Sequence, residues 1–196
     1  MANPGPVHWA HLKHLLRYLA GTRSLSLNFN YTDHKLHTLV GLHGYTDSSY
    51  ADCPDTSRST LAYCFFLDSA LLSWYSKLNT YVTTCTNHSE YVALALGAKE
   101  AEWLILLVSE VLPSLSTKPM PVYVDNSGIV SMVYNPVDHQ SNKHVKIGCH
   151  YTEQKIIAPQ RIPTSDNIAD IFTKPLGGPL FKTLSAHFMA PSLASP

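Results

Sequence analysis

Neither sign of charge predominates in this chain of 196 residues: Lys plus Arg number 14, Asp plus Glu number 14, and the formal net charge is zero. That excludes the basic surplus of a tight, unaided nucleic-acid binder, although charge segregated into a local patch is compatible with a neutral total. Zinc-finger chemistry is absent too. The four cysteines, Cys53, Cys64, Cys85 and Cys149, form no CxxC pair and do not cluster with histidine at zinc-ligand spacing. They read as the reduced thiols of an intracellular protein, cytoplasmic or nuclear. Nowhere do eighteen apolar residues run together, so no membrane span is expected. The opening "MANPGPVHWAHLKHLLRYLAGT" lacks the order of charged, apolar and small residues that makes a signal peptide. No internal repeat is present.

What is there suits a folded, soluble protein. At 45% hydrophobic and 14% charged residues, the chain is long enough for one core, with appendages. Residues 6–20 carry apolar side chains at helical spacing (Trp9, Leu12, Leu15, Leu16, Leu19), and Gly21 supplies a stop. "LSLNFNY", "HTLVGLHGYTD", "TLAYCFFLD", "ALLSWYSK" and "TYVTTCT" read as strands, with "DCPDTSRS" a turn-rich connector and a tight turn near Asp68 and Ser69. At Asn87 the period changes. "NHSEYVALALGAKEAEWLILLVSEVL" fits a helix of several turns with Asn87 or Ser89 as N-cap. "MPVYVD" is a buried strand and "NSGIVSMVYN" a short helix. A further helical pattern around His144, Ile147, Tyr151 and Lys155 runs to about Ile157. "QRIPTSDNIADIFTKPL" then supplies an extended piece, a cap at Ser165 or Asp166 and a short helix. One more helix and a frayed Pro/Ser/Ala tail follow Gly177. An antiparallel meander, a long helix, then alternating strands and helices describe a mixed α/β (α+β) fold with helices on the faces of a sheet. Trp74 and Trp103 sit in apolar patterns and read as core.

Four acids occupy comparable positions. Asp47 ends the strand "HTLVGLHGYTD", Glu90 sits in the first turn of the long helix, Asp125 ends "VYVD", and Asp170 lies in the first or second turn of the helix opened by "SDNIAD". Each has a bland reading as a turn residue, a cap or a partner of the helix dipole. If strand ends and helix turns converge, however, four carboxylates in one place repel and need a cation. Hard oxygen ligands suit Mg²⁺ or Mn²⁺, and two such ions form the clamp used for in-line phosphoryl chemistry.

The ordered motifs "GYTDSSYADCPDTSRSTLAYCFFL", "SWYSKLNTYVTTCTNHSEYVALALGAKEAEWL", "VYVDNSGIVSMVYNPVDHQSNKHVKIGCHYTEQKI" and "IPTSDNIADIFTKPL" closely resemble the ribonuclease H domain of copia-type retrotransposon Pol polyproteins. "NPGPVHWAHLKHLLRYLAGT" looks like the connecting segment that precedes it, downstream of the reverse transcriptase. The resemblance implies a connection-like segment over 1–38, a ribonuclease H-like domain over 39–175, and a C-terminal helix and tail over 176–196. It implies a mixed five-stranded sheet whose first three strands are antiparallel, and hydrolysis of the RNA strand of RNA–DNA hybrids with two Mg²⁺ or Mn²⁺ ions. The carboxylates carried over are Asp47 in "GYTD", Glu90 in "SEY", Asp125 in "VDN" and Asp170 in "IAD". A hybrid is read by shape and by the 2′-hydroxyls of one strand, which makes Ser48, Ser49, Asn126 and Ser127 candidate minor-groove donors, with helix capping as the equal alternative. Lys143 and Lys146 are candidate backbone contacts, with a solvated helix face as the other reading.

The chain departs from the family at His88, where an acid is common two residues before the glutamate, and at Lys146, where an acid is common in the "KHVK" stretch. No histidine clearly matches the one expected before "SDNIAD"; His139 and His144 are nearest. Nor is there room for protease, integrase or polymerase segments, so the chain reads as a fragment or a gene remnant that depends on a reverse transcriptase segment for grip. The competing reading is a catalytically silent remnant that serves as a nucleic-acid-binding or protein-binding module.

Overall fold

The structure, a computed structural model, describes residues 5–29, 41–113, 118–134 and 150–191. At its centre lies a five-stranded sheet built from β2 (Leu42–Ser49), β3 (Thr60–Leu67), β4 (Ala70–Leu78), β5 (Met120–Val124) and β6 (Ile157–Arg161), in the order β4-β3-β2-β5-β6. Strands β2, β3 and β4 pair antiparallel, whereas β2–β5 and β5–β6 are parallel. The expected mixed sheet with three antiparallel leading strands is the one found.

Being central, β2 is covered on both faces and six of its eight residues are buried. Its side chains alternate between two cores, as the period of a strand requires. On one face, Leu42 joins Tyr63, Phe65, Val122 and Val124 beneath the long helix α2 (Thr86–Val111), whose Leu94, Ala98 and Ala101 are completely or almost completely buried. On the other face, Cys64 and Phe66 of β3 pack with Ile168, Ala169 and Phe188 of the C-terminal segment. Gly97 lets α2 lie directly on the sheet, because a Cβ there would stand 2.7 Å from Thr46 Cγ2. The short helix α3 (Ser127–Tyr134) follows β5 and adds Ile129 and Val133 to the first core.

The flanks meet each other. Helix α1 (Pro6–Thr22) leads into β1 (Leu25–Leu27), which pairs antiparallel with the last strand, β7 (Met189–Pro191). Between them in sequence come α4 (Asp170–Thr173) and α5 (Gly178–Ser185). Residues 189–191 are thus held in a ladder with β1, and the remainder of the tail expected to fray, residues 192–196, lies outside the described residues.

Several expectations are corrected. "TYVTTCT" is not a strand: Thr83 is buried on the Ser59 hydroxyl at 3.0 Å, and the chain turns from there into α2. The N-cap of α2 is Cys85 rather than Asn87 or Ser89, and the Ser89 hydroxyl bonds back to the Thr86 carbonyl at 2.8 Å. Glu90 is accordingly the fifth residue of the helix, where a cap at Asn87 would have made it the third and one at Ser89 the first. Neither Ser165 nor Asp166 caps α4: its N-cap is Ala169, with no side-chain capping bond, and the turn before it is held by Asn167, whose Oδ1 accepts from Ala169 N–H at 3.2 Å. Trp74 and Trp103 are not core: they are 53% and 54% exposed, because β4 is an edge strand and the outer face of α2 stays open among the described residues. Trp103→Ala is therefore expected to change stability by about 0.5 kcal/mol or less, against roughly 3–5 kcal/mol for a buried tryptophan, which urea unfolding will distinguish. The helical pattern around His144 and Ile147 lies outside the described residues until 150–153, which are helical.

Candidate active site

Register places the first two acids side by side. Parallel strands β2 and β5 align Tyr45 with Tyr123, and two residues on each chain reaches an aspartate, Asp47 in β2 and Asp125 just past β5. The third acid comes from the helix above them. One carboxylate oxygen each from Asp47, Glu90 and Asp125 lies within 4.8 Å of the others. Asp47 and Glu90 are buried and Asp125 is half-buried. Such a set of hard oxygen donors fits a divalent cation.

The neighbouring serines hold Glu90. Ser48 points to the α2 side of β2 and shares a 2.8 Å hydrogen bond with Ser89. Burial pushes Glu90 up from its ordinary 4.5 to about 8; the charges of Asp47 and Asp125 add to the rise, and a hydrogen bond from Ser48 and the charge of Lys174 oppose it. Without a cation, burial and the two aspartates thus favour the protonated form of Glu90.

Asp47 faces the other way, toward α4, and has two partners there. The Thr173 hydroxyl donates to Asp47 Oδ2. The Lys174 ammonium lies 3.3 Å from that same oxygen and 2.7 Å from Asp170 Oδ1. Asp170 is brought to this position by Asn167, whose buried amide donates to the Thr46 carbonyl at 3.1 Å and so ties the start of α4 to β2 next to Asp47. Burial raises Asp170 from its ordinary 3.8 to about 6; the bond from Lys174 opposes this and the charge of Asp47 adds to it. Lys174 itself is raised, because its contacts with Asp170 and Asp47 outweigh the opposing effect of burial.

The structure therefore gathers Asp47, Glu90 and Asp125 into one group and sets Asp170 beside Asp47 across a lysine. Sequence reasoning missed Thr173 and Lys174. The spacing of Asp170 and Lys174, one helical turn apart, was available as a signal, but the link to Asp47 spans 127 residues. Among the candidate substrate donors, Ser48 is buried and its hydroxyl is engaged with Ser89, so it is a support for α2 rather than an open donor. Asn126 acts as a cap: its Oδ1 accepts from Gly128 N–H at 2.8 Å and its amide donates to Asn87 at 2.9 Å. Ser49 is half-buried and Ser127 exposed. His88 lies beside Thr84, at 3.2 Å from its hydroxyl, and near the Tyr81 ring. Lys143, Lys146, His139 and His144 lie outside the described residues.

No family model matches the chain. Its sequence is 32% identical over 189 residues to the retrovirus-related Pol polyprotein from transposon RE2 of Arabidopsis thaliana, covering 94% of this chain and 13% of that protein. It is also 32% identical over 178 residues to the polyprotein from transposon TNT 1-94 of Nicotiana tabacum, covering 89% of this chain and again 13% of the relative. The chain is a homologue of transposon Pol polyproteins. It spans about 13% of the length of these curated relatives. Among solved structures, this Pol homologue is similar to LC11-RNase H1, isolated from compost by a metagenomic approach, with a TM-score of 0.53 at 15% identity over 69% of this chain and 94% of that one. It is also similar to the foamy viral protease-reverse transcriptase in complex with RNA/DNA hybrid, with a TM-score of 0.50 at 16% identity, covering 76% of this chain and 22% of that one. These likenesses show that the Pol homologue has the ribonuclease H-like fold. Among its described residues, no helix is long and apolar enough to cross a membrane.

Proposed function

We propose that the chain is a metal-dependent endonuclease that hydrolyses the RNA strand of RNA–DNA hybrids, with Asp47, Glu90, Asp125 and Asp170 as the carboxylates that hold two Mg²⁺ or Mn²⁺ ions. The observation that carries this reading is the convergence of Asp47, Glu90 and Asp125 within 4.8 Å, from two strand ends and a helix, with Asp170 beside them. The nuclease unit runs over 39–175, flanked by 1–38 and 176–196, which meet in the β1–β7 ladder. The natural substrate-gripping partner is a reverse transcriptase segment, in keeping with Pol polyprotein relatives and with the foamy viral assembly that holds a hybrid.

Divalent ions held by these carboxylates would supply activation of a water for in-line attack on the scissile phosphate and stabilisation of the departing 3′ oxygen, so that the products would be a 3′-hydroxyl and a 5′-phosphate. The chain's own side chains set the stage. Thr173 fixes the rotamer of Asp47 through its hydrogen bond. Ser48 and Ser89 anchor the first turns of α2 and so the position of Glu90. Asn126 shapes the turn after Asp125 by capping α3. Ser127, exposed at the start of that helix, is the candidate among the four donors best placed to meet a 2′-hydroxyl. Lys143 and Lys146 remain candidates for the phosphate backbone.

A second reading, a catalytically silent chain kept as a nucleic-acid-binding or protein-binding module, draws on one observation: Lys174 offsets charge on Asp47 and Asp170, so part of the acid cluster persists without an ion. Cleavage of a labelled RNA–DNA hybrid at low salt, with Mg²⁺ or Mn²⁺, decides between the two. The wild-type chain is expected to cut the hybrid and to spare duplex RNA. The isosteric Asp125→Asn variant is expected to keep its fold and lose at least about 100-fold in rate, since loss of a mere outer-shell partner already costs roughly 10–100-fold. A folded wild-type chain that cuts nothing in either metal would favour the silent module.

A further inference from the structure

We propose that Lys174 is a tethered cation occupying the second ion position, so that the protein without substrate takes up one divalent ion at Asp47–Glu90–Asp125 and admits another only when the lysine leaves the Asp47–Asp170 pair. This rests on the metal-centre reading above. The acids divide unequally: Asp47, Glu90 and Asp125 share one space, while Asp170 faces that space across an ammonium group. Lys174 Nζ stands 2.7 Å from Asp170 Oδ1, 3.3 Å from Asp47 Oδ2 and 3.4 Å from Asp47 Oδ1. An ion bridging those two carboxylates at the roughly 2.1 Å of a magnesium–oxygen bond would have to occupy the volume that the ammonium fills. The two cations therefore exclude each other.

The surroundings allow the lysine to serve as a reversible occupant. Its side chain is 33% exposed, whereas those of its partners Asp47 and Asp170 are 1% and 6% exposed. The carboxylates are fixed, Asp47 by Thr173 from α4 and Asp170 by the Asn167 tie to β2, while the ammonium sits on a flexible stem that reaches solvent. A compact ammonium on four methylenes can leave by bond rotation alone, and an incoming phosphate offers it a new partner.

Mn²⁺ binding to the full chain without nucleic acid, measured by calorimetry and by the electron paramagnetic resonance of free Mn²⁺ at fixed pH, tests this. The wild type is expected to bind one ion. Lys174→Met, which keeps the stem and removes the charge, should bind a second at least about tenfold more tightly than the wild type does. Lys174→Arg, which keeps the charge, should behave as the wild type, and Lys174→Met combined with Asp170→Asn should return to one ion. Circular dichroism checks that each variant is folded. Superimposable isotherms for wild type and Lys174→Met would overturn the proposal, as would two equal ions in the wild type, both with the metal centre intact. No ion bound by any variant would overturn the metal-centre reading and this proposal together.

Discussion

Replacing Glu90 with Gln is expected to stabilise the cation-free protein at pH 8 while slowing hybrid cleavage at least about 100-fold. The two effects have one cause. Burial, reinforced by Asp47 and Asp125, raises the Glu90 carboxyl from 4.5 to about 8, so between those values the folded chain binds a proton that the unfolded chain does not. Stability must then fall as pH rises through that window, and Asp170, raised from 3.8 to about 6, adds to the fall over the lower part. A glutamine cannot ionise and escapes the Glu90 share. The gain at pH 8 should be about 2 kcal/mol, well below what the full shift would give because water and neighbouring groups relax around a buried charge. That corresponds to roughly 4–8 °C in Tm for a chain of this size, and the difference should shrink toward pH 5. Saturating Mn²⁺ should raise the parent's Tm at pH 8 and raise the variant's much less. Thermal melts across pH 5–8, with and without Mn²⁺, would refute this account if the cation-free parent were flat or if the variant tracked it.

Replacing Gly97 with Val should lower stability and activity together. An added Cβ would stand 2.7 Å from Thr46 Cγ2, 3.6 Å from Tyr63 Cβ and 3.7 Å from Phe65 Cζ, all in the fully packed interface between α2 and the sheet. Thr46 and Phe65 are buried on β2 and β3 and cannot swing aside, so the helix must lift. Overpacking of this kind costs about 1–3 kcal/mol, or roughly 2–12 °C in Tm. Because α2 carries Glu90 and β2 carries Asp47, the same lift separates two of the acids, and a displacement near 1 Å costs on the order of 100-fold in rate. Helix propensity alone would predict a neutral or slightly favourable change. Lys99→Val, on an exposed position of the same helix, is the control and should stay within about 0.5 kcal/mol. Urea unfolding and hybrid cleavage on both variants check the pair, and a Gly97→Val protein as stable and active as the control would mean that α2 does not set the spacing of the acids.

Much of this architecture could be read along the chain. The change of period at Asn87 marks α2 within a few residues, because an amphipathic helix announces its buried stripe through Leu94, Ala98, Ala101 and Leu104. Asp47, Glu90, Asp125 and Asp170 could be picked out because each stands within a few residues of where an element begins or ends, and the resemblance named all four. The errors have a common origin. Trp74 and Trp103 lie in apolar patterns, but a pattern does not say whether another layer covers that face, and here neither face is covered among the described residues. "TYVTTCT" has strand composition without a strand to pair with, and Thr83 satisfied its hydroxyl on Ser59 instead. Ser48 looked like an open donor until the alternation of β2 turned it toward Ser89.

The sequence by itself determined the elements that depend on near neighbours: the periods of strands and helices, the tight turn at Asp68, the position of each acid close to, though not always at, an element's end, and the pairing distance of Asp170 and Lys174 along one helical turn. Tertiary structure alone decided what those acids meet. The parallel register of β2 with β5 sets Asp47 level with Asp125, the close approach at Gly97 lowers Glu90 onto them, and the Asn167 bond to Thr46 brings Asp170 and Lys174 against Asp47. Local rules act through bonds and through spacing of a few residues, whereas the raised carboxyls of Glu90 and Asp170 and the lysine between Asp47 and Asp170 arise from burial and from charges brought together across the fold.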